Sequence, residues 1–154
     1  RERTEQHVRI QYEKIREPEI RAMIPMTDKT LEQAIADYEK TLLPGASSFG
    51  QTIYVDGAYV GDIWCYCMDK KEVPNAMIGY CIFDKTYWGK GIATEAVNRF
   101  LRIVSQWFEL KSMGAAAYCS NGASLRVLEK CGFEKKEEFT EEGILSVYYQ
   151  KELV

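Results

Sequence analysis

Trp88-Gly89-Lys90-Gly91-Ile92-Ala93-Thr94-Glu95 ends a strand-like run, packs two glycines into a tight loop and launches a long amphipathic helix. Glycine lets the backbone approach a ligand closely, and the first turn of a helix offers unpartnered N–H groups with a partial positive charge. The stretch is therefore an anion cradle, and a phosphate or pyrophosphate is its natural guest. Two common phosphate loops do not fit it. A Walker loop needs Ser or Thr after Gly-Lys, and here Gly91 follows Lys90. A dinucleotide fingerprint reads Gly-x-Gly-x-x-Gly in a first βα unit, with an acid about 20 residues later. Here Gly89-x-Gly91 ends in Thr94, past the middle of the chain, with no clear second strand carrying an acid at that distance.

Downstream of the loop, Ile92, Ala96, Val97, Phe100, Leu101, Val104 and Phe108 recur at helical spacing, giving a broad apolar face that must pack on a sheet. Gly114-Ala-Ala-Ala-Tyr-Cys119 is short and apolar and suggests a buried strand parallel to the one before the loop, although the alanines favour helix. Asn121 is a good N-cap for a helix through about Lys130, and Cys131-Gly132 ends it. Phe133 to Phe139 and Ile144 to Lys151, joined by Glu141-Glu142-Gly143, read as a closing hairpin.

Upstream, Asp56-Gly57 lies between the β-rich runs Gln51–Val55 and Ala58–Met68, a strong hairpin signal. Asp69 to Asn75 is turn-like, and Ala76 to Phe83 is a third strand. Nearer the N-terminus, helical patterns run from Thr4 to about Arg16 and from 31 to 43, the second opened by a Thr30-x-x-Gln33 capping box. Pro18 suits the start of a short helical turn that Pro25 closes.

The 154 residues suit one domain spanning 1–154. A hydrophobic share of 46% with 28% charged residues is that of an ordinary globule, which excludes disordered and collagen-like classes. No apolar run approaches a membrane span, and Arg1-Glu-Arg-Thr4 has no signal-peptide core, so a cytoplasmic protein with no membrane partner is expected. The net charge of −3, without a basic block, argues against nucleic acid as a partner. Cysteines at 65, 67, 81, 119 and 131 contain no Cys-x-x-Cys pair, so neither a disulfide framework nor a metal site is expected. Cys65 and Cys67 alternate in a strand and so share one face, with core packing as their role. His7 has no Cys or Asp pattern near it and reads as a surface residue.

Read as Trp88-x-x-Gly91-x-Ala93, the loop resembles the pyrophosphate-binding motif of the GNAT family of N-acetyltransferases, and Tyr87-Trp-Gly-Lys-Gly-Ile-Ala-Thr-Glu-Ala96 is most similar to its RimJ/RimL-like branch. A second element, Asn121-x-x-Ser124-x-x-Val-Leu-Glu-Lys-Cys-Gly-Phe133, is similar to that family's Asn-x-x-Ser and Lys-x-Gly-Phe motifs. The resemblance covers nearly all of the chain. It implies a mixed α+β fold with a central, mostly antiparallel sheet, one splayed parallel strand pair and flanking helices. Arg1 to Thr4 resembles the end of the family's first strand, whose earlier residues this sequence lacks. Acetyl-CoA is the implied co-substrate, and a primary amine, on a small molecule or a protein N-terminus, the implied acceptor.

The pyrophosphate would then accept backbone N–H bonds from Gly89, Lys90, Gly91, Ile92 and Ala93 beside Trp88, with the Lys90 ammonium and the Thr94 hydroxyl adding to them. In the family the pantetheine arm pairs with the strand before the loop, which by position means Ile82 and Phe83, and an N–H near Phe83 would polarise the thioester carbonyl. Many members place a general-acid tyrosine where this chain has Leu128, and a carboxylate where it has Met77. Ser124 is the residue expected to assist the departing thiolate, with Asn121 beside it; first-turn packing and N-capping are their structural readings. Glu95 reads as a helix-dipole residue, and Tyr118, Tyr148 and Tyr149 as further candidates near strand ends. Glu17–Pro25 and Glu137–Glu142 are expected to shape the acceptor groove, the acidic run hinting at a cationic acceptor. Leu128 and Met77 keep a non-catalytic acyl-CoA-binding module open as an alternative, and Gly89-x-Gly91 alone a nucleotide-dependent oxidoreductase.

Overall fold

A computed structural model describes residues 1–23, 29–69 and 74–153. Helix α1 (Glu5–Lys14) starts at Thr4, whose hydroxyl accepts the His7 backbone N–H while the His7 ring takes the Thr4 N–H. That reciprocal cap, and an Nε2 placed 2.5 Å from the Tyr54 hydroxyl, make His7 a half-buried structural residue rather than the surface residue expected. Burial and the nearby Arg3 charge hold its pKa below the usual histidine range. Helix α2 (Pro18–Arg21) begins on its proline. The expected stop at Pro25 lies outside the described residues. In α3 (Leu31–Lys40) the Thr30–Gln33 capping box forms with both hydrogen bonds, and the helix ends three residues short of the expected 43.

Strands β1 (Phe49–Val55) and β2 (Ala58–Asp69) are joined by Asp56 at φ 50° and Gly57 at φ 83°, the two positive values that a tight hairpin turn requires. Strand β3 (Asn75–Ile82) follows, then a 3-10 turn at Lys85–Tyr87, helix α4 (Ile92–Trp107), strand β4 (Ser112–Tyr118), helix α5 (Gly122–Lys130) and strands β5 (Glu134–Glu141) and β6 (Ile144–Glu152). Burial in the sheet overrides the helix preference of the alanines in β4, where Ala115 and Ala117 are core residues. The closing turn is two residues, Glu142-Gly143 at φ 51° and 79°; Glu141 belongs to the strand. The Cys65–Cys67 alternation fails because the β2–β3 register slips after Tyr66 and Cys67 takes φ 53°. Cys65 is buried and Cys67 exposed, so the two do not share a face.

The sheet runs β1-β2-β3-β4-β6-β5, antiparallel throughout except for β3 and β4. Glu2 bridges to Gln51, and the Arg1 carbonyl accepts the Thr52 N–H, so the first residues lie along the free edge of β1. The main core fills the face under α4 and α5, where Val97, Phe100, Leu101 and Val104 meet Ile63, Ile78, Met113 and Val147. Each such side chain contributes about 1.5–3 kcal/mol through burial. A smaller cluster of Ile20, Cys81 and Phe83 fills the opposite face, with Ile15, Tyr59 and Trp64 around it.

Between β2 and the N-terminal arm lies a buried carboxylate. Asp62 is 2% exposed, accepts from the Tyr59 hydroxyl at 2.6 Å and faces the Arg3 guanidinium at 3.7 Å. Burial pushes its carboxyl up to about 6 against the opposing pull of Arg3 and Tyr59.

Two outcomes follow from this packing. A Cβ built on Gly79 lies 2.6–2.7 Å from the Trp64 ring, which is rigid, so Gly79→Ala should lower stability by about 1–3 kcal/mol in urea unfolding. Because folded Asp62 holds its proton more tightly than the unfolded chain, its contribution falls as pH rises from about 4 to about 6 and is level above. Relative to Asp62→Asn, the wild type should therefore lose on the order of 3 kcal/mol of unfolding free energy between pH 4 and pH 7. An unchanged difference across that range would contradict the assignment.

Candidate functional site

Strands β3 and β4 pair over only three residues each, Asn75–Met77 with Ser112–Gly114. Beyond Met77 the two part, each held by its outer neighbour: β3 by β2 as far as Ile82, and β4 by β6 as far as Tyr118. Antiparallel ladders alternate inward and outward hydrogen-bonding residues. The Phe83 N–H donates to the Val60 carbonyl at 2.9 Å, so Phe83 faces β2, and alternation turns the peptide groups of Tyr80 and Ile82 toward the gap. On the other side the Cys119 N–H donates to Leu145, which turns Ala116 and Tyr118 toward the same gap. Two polar backbone edges thus face each other without a strand between them.

Phe83 departs from its expected role here. Its N–H is spent on Val60 and its side chain sits in the small core beside Ile20, so the free donor lies one residue earlier, at Ile82. The Ile82 carbonyl is covered by the Trp88 indole N–H at 2.7 Å, which ties the glycine loop to the strand end. Gly89 and Gly91 take φ 74° and 76°, and a Cβ on either would meet nothing within 4 Å. Glycine is required by the backbone twist and the loop is open above, a cradle rather than a packed corner. Gly91 caps α4 with no side-chain hydrogen bond, so the N–H groups of Ile92, Ala93 and Thr94 point out of the helix end without a capping oxygen. The Lys90 ammonium lies 5.6 Å from the centre of the Tyr87 ring. Cys131 Sγ contacts the Thr94 carbonyl at 3.6 Å, joining the ends of α4 and α5. Glu95 is exposed and pairs with Arg99 at 2.5 Å, consistent with a surface helix residue.

At the start of α5, Asn121 Oδ1 accepts the Ser124 N–H at 3.2 Å and its Nδ2 donates to the Met23 carbonyl at 3.2 Å. Both polar ends of Asn121 are engaged in holding backbone. Ser124 is different: its hydroxyl lies 2.9 Å from the Tyr80 hydroxyl, inside the gap. Burial pushes the Tyr80 phenol up to about 12, so it stays protonated across the physiological range. Tyr80 escaped the sequence reading, which looked for tyrosine near the later strand ends. The available signal was its place in Ile78-x-Tyr80-x-Ile82, the one hydroxyl on an otherwise apolar strand face. Tyr149 instead donates to Glu129, and Tyr148 lies across Gly114. Leu128 is 1% exposed and belongs to the core.

A cavity of about 560 Å³ passes through the gap. Tyr80, Ser124 and Leu128 line it from the α5 face; Gln11 and Tyr12 of α1, Ala34 and Asp37 of α3, and Trp64 and Tyr66 of β2 line it from the other. Of the Glu17–Pro25 stretch, Met23 lines it and Glu17 does not, and the Glu137–Glu142 run is absent from the lining among the described residues. Strand β5 is the far sheet edge, where Lys135 pairs with Glu138 at 2.5 Å, while β6 lies against β4 with Ser146 opposite Tyr118. No cluster of three or more potential metal ligands occurs among the described residues. None of the described helices is long and apolar enough to cross a membrane.

The sequence profile of the family described as "Acetyltransferase (GNAT) domain" matches residues 1–134. A Bacillus subtilis (strain 168) protein named "Probable N-acetyltransferase YjcK" is 31% identical over 118 residues, which are 76% of this chain and 65% of that protein. The aligned part thus spans under two thirds of that curated relative's length. Among solved structures, spermidine N-acetyltransferase from Vibrio cholerae in complex with CoA and spermine superposes with a TM-score of 0.86 at 14% identity, covering 99% of this chain and 94% of that one. Aminoglycoside acetyltransferase AAC(6')-Ib in complex with coenzyme A superposes at 0.81 with 20% identity, covering 99% and 92%. These likenesses show the fold, a mixed α+β sheet with one parallel pair.

Proposed function

The chain belongs to the GNAT acetyltransferase family, and from that premise we propose that it is an N-acetyltransferase of the RimJ/RimL-like branch, moving acetyl from acetyl-CoA to a primary amine by direct attack. One observation carries the reading: the open β3–β4 gap, through which the cavity passes, is tied at Ile82 by the Trp88 indole to the glycine loop that leads into the uncapped end of α4. Acetyl-CoA supplies an activated acetyl group and a thiolate leaving group. The N–H groups from Gly89 to Ala93 fit its pyrophosphate, and the exposed edge at Tyr80 and Ile82 fits the peptide-like pantetheine arm as an added strand.

In this reading the Ile82 N–H faces the thioester carbonyl and stabilises negative charge as the amine adds. Within the pair coupled at 2.9 Å the Ser124 hydroxyl donates to the Tyr80 oxygen, which leaves the phenol proton to be donated to the departing sulfur, a role that Leu128 has no group to fill. A phenol held near 12 acts as a standing hydrogen-bond donor rather than a group that titrates in the working range. Asn121 positions Ser124 through its backbone N–H. The acceptor, a small-molecule amine or a protein N-terminus, enters from the α1–α3 face and loses its proton to water, since no carboxylate occupies the Met77 position. The domain acts as one unit over 1–154, in the cytoplasm.

The second reading, an acyl-CoA-binding module without turnover, is favoured by the burial of Leu128. Thiol release from acetyl-CoA over a panel of amines separates the two: tight binding with no release on any amine would select the module. For the enzyme, Gly91→Ala should weaken CoA about tenfold in calorimetry, because a Cβ strains the left-handed backbone that aims the N–H groups. Tyr80→Phe should lower kcat about 10²-fold with little change in the acetyl-CoA KM, and Ser124→Ala less. An unaffected kcat in Tyr80→Phe would remove the hydroxyl pair from the chemistry.

A further inference from the structure

The acceptor side of the cavity has a charge balance that bears on which amines it admits. Among the described residues, its charged lining consists of the cations Arg3, Arg16 and Lys29 and the single carboxylate Asp37. Asp37 is already matched, with Lys29 Nζ 2.5 Å from its Oδ2. Arg3 faces buried Asp62 at 3.7 Å. Arg16 is exposed and stands over the Tyr12 ring, 5.0 Å from its centre, while donating to the Tyr12 hydroxyl at 3.0 Å. That stacking holds the guanidinium at the cavity wall and leaves most of its five donors directed elsewhere. Trp64 adds an aromatic surface to the same lining.

Resting on the acetyltransferase reading, we infer that the acceptor is an amine that also carries an anionic group, which Arg16 receives while the amine points into the gap. Guanidinium binds a carboxylate or phosphate in a bidentate manner, and a positive lining attracts anions and repels additional ammonium groups. A polyamine or aminoglycoside would bring several positive charges to a wall whose single carboxylate among the described residues, Asp37, is already paired with Lys29. Acceptors of the amino-acid or acidic-peptide class suit it, with the apolar part of the molecule against Trp64.

The test is a specificity comparison on the whole chain with acetyl-CoA, using amines that share a skeleton and differ in the anion. L-Phenylalanine is compared with phenethylamine, a peptide with acidic residues after its N-terminus with the matching basic peptide, and spermidine and kanamycin are assayed alongside. The anionic member of a pair should show at least about tenfold higher kcat/KM, the scale of one charge-assisted contact. Arg16→Gln should raise KM for the anionic member more than for its partner, and Arg16→Glu should move the preference toward cationic amines. Equal rates within pairs, or faster turnover of spermidine or kanamycin, would overturn the inference and leave the transferase reading standing. CoA binding in calorimetry with no thiol release on any amine would instead take down both.

Discussion

The site depends on how little of β3 and β4 is paired. Three residues on each strand, Asn75–Met77 and Ser112–Gly114, hold the two halves of the sheet together, and the Pro74 carbonyl clamps that end by accepting from the Lys111 and Ser112 N–H groups. Past Met77 each strand follows its antiparallel partner, and the sheet twist draws the pairs apart. Buried backbone groups left without partners are costly unless something satisfies them, so the gap is a built demand for a strand-like guest. The Trp88 indole meets part of that demand at Ile82 and fixes the glycine loop at the mouth of the gap.

The opening divides the labour between two faces. On the α4–α5 face lie the uncapped helix end and the Tyr80–Ser124 hydroxyl pair, suited to an anionic donor and a developing thiolate. On the α1–α3 face lie aromatic rings and a largely positive wall, suited to recognising a second molecule. The gap lies between them, so a donor and an acceptor reaching it from opposite sides meet in a confined geometry, which is where proximity contributes to rate.

Most of the element order was legible in the sequence, because caps, turn residues and periodicity act over a few positions. Thr30-x-x-Gln33, Asp56-Gly57, Gly91 and Asn121 each mark a boundary that the fold respects. The misreadings cluster where distant residues decide. His7 is drawn under cover by Tyr54, and Cys67 is rotated out by a register slip.

By itself the sequence determined the family, the glycine loop and the strand and helix order, since local hydrogen bonding and steric limits specify them. Only the tertiary structure decided which peptide group faces the gap and which hydroxyl stands beside Ser124. Tyr80 and Ser124 are 44 positions apart, and Phe83 is disqualified by a bond to Val60 across a neighbouring strand. Such pairings depend on register and sheet order, and these are set by the packing of the whole core rather than by any local pattern.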